Sequence, residues 1–283
     1  MMPSDKPRVF RFGENWATFA GNDRFERRAQ LAQESLRQLL GISCLEGKVF
    51  MDIGCGSGLF SLAACRLGAT RVICFDRDPQ SIDTASGVRA RYGIDPGMWA
   101  IMHGSVLDEP FLASLPQADV VYAWGVLHHT GSMWRAIDNA CGKVARDGAL
   151  VLSIYNKVER RVGGSGLWLR IKRFYMNAPR GVQWTMERGY SANVFLRHAV
   201  TLRNPLRMIR EYENEKSRGM DFWCDLKDWI GGYPYEYATA GEVFNHVHRR
   251  HGFVLEHLTT THSLGCNQFV FRRPTGLGGR GCP

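Results

Sequence analysis

The stretch Lys48-Val-Phe-Met-Asp52-Ile-Gly54-Cys55-Gly56-Ser57-Gly58 constrains the fold more than any other part of this 283-residue chain. A short apolar run breaks into three glycines, and Leu59 to Leu67 follows with helical character, stopped by Gly68. Strand, glycine turn and helix in that order is how a parallel sheet opens. The alternation continues. Arg71 to Phe75 reads as a strand closed by Asp76, Ser81 to Tyr92 as a helix, and Trp99 to His103 as a third strand. Ala118 to Trp124 reads as a fourth strand, Met133 to Val144 as a helix, and Ala149 to Tyr155 as a fifth strand. The expected class is α/β, a doubly wound Rossmann-like sheet, with ligands at the carboxyl ends of its strands.

Four further segments flank or interrupt that core. Residues 1–47 form an N-terminal helical or lid segment, with Phe10, Phe12 and Trp16 ahead of a helix from Arg24 to Leu40. The core itself covers 48–157. Residues 158–235 break the alternation and read as a basic helical insertion; Leu167, Ile171 and Phe174 have helical spacing, as do Phe195, Leu202, Leu206 and Ile209 up to a break near Pro205. Residues 236–273 return to the core with a helix from Thr239 to Arg250 and two last strands, Phe253 to Thr261 and Asn267 to Arg272. Residues 274–283 are glycine-rich and expected to be a disordered tail.

The glycine loop says something about its ligand. Glycines let the backbone turn tightly and let a ligand approach it closely. A dinucleotide fingerprint would place Gly or Ala at position 59, and Leu59 stands there. Asp52 puts a carboxylate at the strand end, which repels a phosphate and suits a cation. Asp76 ends the next strand, where an acid can accept both hydroxyls of a ribose. S-adenosylmethionine, with its ammonium, sulfonium and ribose, meets these requirements. A glycine-rich turn with incidental acids is the competing reading.

The chain resembles the class I S-adenosylmethionine-dependent methyltransferases. The resemblance rests on Asp52-Ile-Gly-Cys-Gly-Ser-Gly58, Cys74-Phe-Asp76-Arg77-Asp78 and Asp119-Val-Val-Tyr-Ala-Trp-Gly-Val-Leu-His-His129. It covers about 48–156 well and 239–273 loosely. It implies a seven-stranded sheet and S-adenosyl-L-methionine as methyl donor. Gly54, Gly56 and Gly58, with Cys55, would line the methionine part, Asp76 and its neighbour Arg77 the ribose, and Ser105 and Val106 the adenine. Relatives often carry an acid where Ser105 stands, so Asp108 is a second candidate for the adenine amine. The Leu-His-His segment is similar to small-molecule methyltransferases, including those of quinone biosynthesis. The Asn/Asp-Pro-Pro-Tyr signature of many nucleic-acid and protein amide N-methyltransferases is absent.

A sulfonium methyl is already activated, so the protein must align three atoms and remove a proton where the nucleophile needs it. His128 and His129 follow the fourth strand, and imidazole titrates in the useful range. His128 is the favoured base; a structural role for both histidines is the alternative. Tyr155 and Asn156 end the fifth strand within reach of a substrate. Trp124 either packs on the adenosyl group or belongs to the core. Trp16 with Phe12 and Gly13 either lids the cofactor or staples the N-terminus. Gly231-Gly-Tyr-Pro-Tyr-Glu236 either closes over the site or is a plain turn.

No metal site is expected. The eight cysteines form no Cys-x-x-Cys pair and read as free thiols. On one helix His248 and His251 share a face that His246 does not, which reads as a solvated histidine cluster. Charge is concentrated in 158–220, with thirteen basic residues against five acidic ones. That stretch suits the solvated face of a cap, peripheral contact with an anionic membrane, or, least well, nucleic acid. The chain shows neither a membrane span nor a signal-peptide core, so a cytoplasmic protein is expected. The expected function is methyl transfer from S-adenosylmethionine to a small-molecule acceptor, oxygen first. Sulfur or nitrogen acceptors, an RNA acceptor and a non-catalytic S-adenosylmethionine-binding protein stay open.

Overall fold

The computed structural model describes residues 10, 12–21, 24–201, 204, 207, 209–210, 212 and 222–275. The core elements are β1 (Val49–Ile53), β2 (Arg71–Asp76), β3 (Trp99–His103), β4 (Ala118–Trp124), β5 (Val144–Tyr155), β6 (Val254–Thr259) and β7 (Cys266–Arg272). They form one seven-stranded sheet in the order β3-β2-β1-β4-β5-β7-β6. The strands from β3 to β5 pair in parallel, and β7 runs antiparallel to both β5 and β6. The order reverses between β1 and β4, and such a reversal opens a crevice at the carboxyl ends of those two strands.

Alternation along each strand feeds two apolar layers. Phe50, Val72, Cys74, Val120 and Val151 face one way, onto α1 (Phe12–Ala20), α2 (Phe25–Leu40), α3 (Leu59–Arg66) and α4 (Pro79–Arg91). Met51, Ile53, Ile73, Val121 and Leu150 face the other way. They meet the short α5 (Glu109–Ala113), α6 (Met133–Gly142) and a late helix, Ala240–His251. The late helix opens with Thr239 accepting from Glu242 N while Glu242 reaches back to Thr239 N, a reciprocal cap that fixes its first turn.

The insertion folds as helices with a small core of their own. They are α7 (Ser165–Asn177), α8 (Arg180–Val200) and α9 (Phe222–Gly231), so the late helix is α10. Tyr175, Met176, Phe222, Leu226, Ile230 and Tyr233 form that core. The expected apolar face of α7 is partly inverted: Phe174 is exposed and Lys172 is buried. Eight of the eleven exposed large apolar residues of the described chain lie between 162 and 223, beside exposed arginines such as Arg170, Arg173 and Arg188. Leu202 and Leu206, the break near Pro205 and the end of the expected tail, 276–283, lie outside the described residues. No helix among the described residues is long and apolar enough to cross a membrane.

Candidate active site

A cavity of about 1820 Å³ opens at the carboxyl ends of β1, β2, β4 and β5. One half is floored by the glycine loop. Gly54 has φ +70° and faces Val126 so closely that a β-carbon there would stand 2.5 Å from its Cγ1. Asp52 is buried, and its Oδ2 accepts from the Ser61 hydroxyl at 2.7 Å. Burial pushes its carboxyl up to about 7, against the pull of that hydrogen bond, with Asp76 nearby adding to the rise. Burial also raises Asp76, although its two oxygens accept from the Gly56 and Asp78 main-chain N–H groups at 3.1 and 2.9 Å. Two carboxyls kept from water in one crevice are a place for a cation and for hydroxyl donors.

The N-terminal helix covers this half. Trp16 lies over Gly56 at a spacing that leaves no room for a β-carbon, 2.9 Å from the indole. Gly13 N donates to Asp78 Oδ2 at 2.9 Å, tying α1 to the start of α4. Trp16, Asp52, Gly54, Cys55, Asp76 and Arg77 all line the cavity. So do Ser105, Val106 and Trp124, with Trp124 stacked on Tyr122 at 5.9 Å. Gly56 and Gly58 shape the loop from behind the lining. Asp108 takes no part: its Oδ1 accepts from Phe111 N and caps α5. The Cys55 thiol is held well above its usual range, first by its contact with Cys74 and then by burial, which makes it an unreactive wall residue.

The other half of the cavity carries the histidines, and here the expectation changes. His128 is fully buried, stands outside the cavity lining, and neither of its ring nitrogens meets a hydrogen-bond partner. Burial, reinforced by His129 and Lys172, drives its basicity well down. The structure therefore withdraws His128 from the place of a base in contact with substrate. His129 faces the cavity instead. Its Nδ1 stands 2.6 Å from the Pro234 carbonyl; a carbonyl only accepts, so Nδ1 carries the proton and Nε2 is the free atom. Burial and then the Lys172 charge depress His129 to about 3. Tyr155 packs against both imidazoles, at 4.1 and 5.6 Å from their ring centroids, and also lines the cavity.

The segment Gly231–Glu236 is more than a turn. Glu236 N donates to the His128 carbonyl at 2.9 Å, and the Glu236 carboxylate accepts from Met133 N at 3.0 Å, at the start of α6. The Tyr233–Pro234 peptide is cis. Beyond the histidines, Trp168 and Ile171 of α7, Tyr190 and Val194 of α8, and Trp229 of α9 complete the wall. In the sequence only the aromatic richness of 158–235 hints at these side chains.

The distant histidines also rearrange. His246 and His251, five residues apart, converge on Asp138 of α6, each Nε2 2.7 Å from the same Oδ1, while His248 Nδ1 bonds the Phe253 carbonyl. Asp138 rather than a shared helix face brings that pair together, which the helical-wheel reading of α10 alone did not contain. The distances are those of hydrogen bonds, and Arg250 Nε stands 3.3 Å from the same oxygen.

Known proteins resemble this chain in the same region. The family model described as PrmA, ribosomal protein L11 methyltransferase, matches residues 30–155, a little under half of the chain. The ribosomal protein L11 methyltransferase of Photobacterium profundum is 35% identical over 109 residues, 38% of this chain and 35% of that protein. The mitochondrial ubiquinone biosynthesis O-methyltransferase of Schizosaccharomyces pombe is 34% identical over 119 residues, 41% of this chain and 40% of that protein. The chain thus spans less than half the length of these curated relatives. Among solved structures, magnesium protoporphyrin IX methyltransferase from Synechocystis, with S-adenosylhomocysteine bound, superposes with a TM-score of 0.53 at 14% identity, over 92% of this chain and 93% of that one. Its strand order, its glycine loop and these likenesses are those of the class I S-adenosylmethionine-dependent methyltransferases.

Proposed function

We propose that the chain binds S-adenosyl-L-methionine over its glycine loop and transfers the methyl group to an oxygen of a small-molecule acceptor. The observation that carries this reading is one continuous cavity that runs from Asp52 and Asp76 to His129 and Tyr155. The buried carboxyls suit a cationic, ribose-bearing ligand. The cavity is too large for that ligand alone and leaves a second chamber walled by aromatic rings. S-adenosylmethionine supplies an activated methyl group. Asp52 balances its positive charge, Asp76 accepts from the ribose hydroxyls, Ser105 and Val106 border the adenine, and Trp16 and Trp124 enclose it. His129 and Tyr155 wall the acceptor chamber and hold the acceptor's direction by shape. Alignment of this kind is worth several powers of ten in rate.

The test is incubation with S-adenosylmethionine and a panel of phenols, carboxylates, sugars and thiols, reading S-adenosylhomocysteine. Turnover on one class supports the reading. Binding without turnover on any acceptor moves weight to a non-catalytic role.

Two observations favour particular acceptors. The family model favours a protein, and ribosomal protein L11 belongs in the panel; its match ends at residue 155 and includes none of the insertion that walls the acceptor chamber. The arginine-rich, apolar outer face of α7 and α8 favours a lipid-borne molecule, because Leu167 and Arg197 belong both to that face and to the cavity lining. Turnover raised by anionic vesicles and not by neutral ones supports that version.

A further inference from the structure

Lys172 is the only buried lysine among the described residues. It rides on α7, and its ammonium donates to the Trp229 main-chain carbonyl. Three rings box it: Trp229 at 4.7 Å, Tyr235 at 4.8 Å and Tyr155 at 5.9 Å from the Nζ to each centroid. Rings of that kind accept a cation face-on. Tyr155 in turn carries His128 and His129 on its other contacts.

Two imidazoles and an ammonium therefore share one desolvated cluster. Such a cluster holds a single positive charge at modest cost and a second one at great cost. The titratable groups that face His129 are His128 beside it, Tyr155 on β5 and Lys172 on α7. Asp228 on α9 offsets part of the lysine charge, Cys266 on β7 lies nearby, and Tyr235 completes the box. Burial lowers Lys172 to about 7, still far above His129, so the lysine keeps the proton when the two compete.

We propose that Lys172 is a positioning residue that keeps His129 neutral, and that the site therefore takes acceptors whose oxygen is already ionised, carboxylates or acidic phenols, over alcohols that need a base. This rests on the methyl-transfer reading and names its substrate class. The oxygen anion attacks the methyl carbon, the C–O bond forms as the C–S bond breaks, and the electron pair stays on sulfur. No proton moves. An alcohol would have to pass its proton to His129 and so place a cation in the desolvated cluster, next to a Lys172 that is itself charged below about pH 7.

The experiment compares an aromatic carboxylate, a nitrophenol, an unactivated phenol and a primary alcohol with the full chain and S-adenosylmethionine, from pH 6 to 9. For an anionic nucleophile, kcat/KM on the carboxylate at saturating S-adenosylmethionine is flat. On the unactivated phenol, about a thousandth ionised at pH 7, it rises about tenfold per pH unit. The primary alcohol gives no product. Lys172→Met should raise the titration midpoint of His129, read by carbon-13 NMR at its Cε1, and leave S-adenosylmethionine affinity unchanged. Lys172→Arg should return His129 toward the wild-type midpoint. Alcohol turnover comparable to carboxylate turnover overturns the proposal, as does a His129 midpoint that Lys172→Met leaves unmoved. Failure to bind S-adenosylmethionine at all overturns the reading beneath it instead.

Discussion

His129 hangs from Pro234: its Nδ1 donates to that carbonyl at 2.6 Å, and the ring lines the cavity. Phe12 of the N-terminal helix packs against the ring, with centroids 5.0 Å apart. The imidazole is thus held by the loop before α10 and by the helix that covers the glycine loop.

His129→Ala should lower kcat by about a hundredfold through lost alignment, with little change in S-adenosylmethionine affinity. Steady-state turnover and calorimetry on the same preparation separate the two. Because the folded ring is depressed to about 3, it stays neutral from pH 5 to 9 and adds no limb to the rate profile in that range. A wild-type limb near pH 6.5 that disappears in His129→Ala would contradict this.

Asp52 gives a pH dependence of the opposite kind. Its carboxyl is raised to about 7 in the free protein, so it is protonated at pH 6 and ionised at pH 8. A cationic ligand binds the ionised form better. S-adenosylmethionine affinity should therefore strengthen from pH 6 to 8, with proton release visible as a buffer-dependent heat. Asp52→Asn should flatten that dependence and weaken binding.

The fastening of α1 to α4 predicts a small substitution with a large effect. A methyl group at Gly13 would stand 2.7 Å from Asp78 Oδ2, inside the carboxylate that its N–H now reaches. Gly13→Ala should lift α1 and Trp16 from the glycine loop and weaken S-adenosylmethionine binding about tenfold. Unaltered affinity, by titration, would show that α1 does not cover the ligand.

Asp138 predicts a stability effect far from the site. Partial burial raises its carboxyl, and hydrogen bonds from His251 and His246 with the nearby Arg250 charge outweigh that and hold it below the usual range. A depressed acid stabilises above its unfolded pKa, near 4, and that contribution fades as pH falls through the folded value. Asp138→Ala should cost about 1–3 kcal/mol at pH 7, or a few degrees of Tm, and much less at pH 3. Thermal melts at the two pH values check it.

Much of the sheet was legible in the sequence because its strands are short apolar runs closed by glycine or aspartate. Trp99–His103 and Ala118–Trp124 stand where the residues said they would. β5 starts earlier, at Val144, because its polar stretch Arg146-Asp147-Gly148 interrupts the apolar signal without ending the strand. The glycine-loop half of the cavity was legible for the same reason: glycines and strand-end acids are local features. The half walled by the histidines and the insertion was not. Adjacent residues such as His128 and His129 point to different places, and only the tertiary packing decides which of them faces the cavity. α7 misled most, since burial of Lys172 and exposure of Phe174 follow from the ring box built by Tyr155, Trp229 and Tyr235, residues that share no local pattern.

The most direct measurement is isothermal titration of the full chain with S-adenosylmethionine, repeated with Asp76→Ala. The account predicts one site per chain with micromolar affinity, weakened by at least about tenfold in the variant, because the ribose hydroxyls lose their acceptor. No heat with the wild-type chain, or equal affinity in both, would contradict the placement of the ligand over the glycine loop and, with it, the proposed reaction.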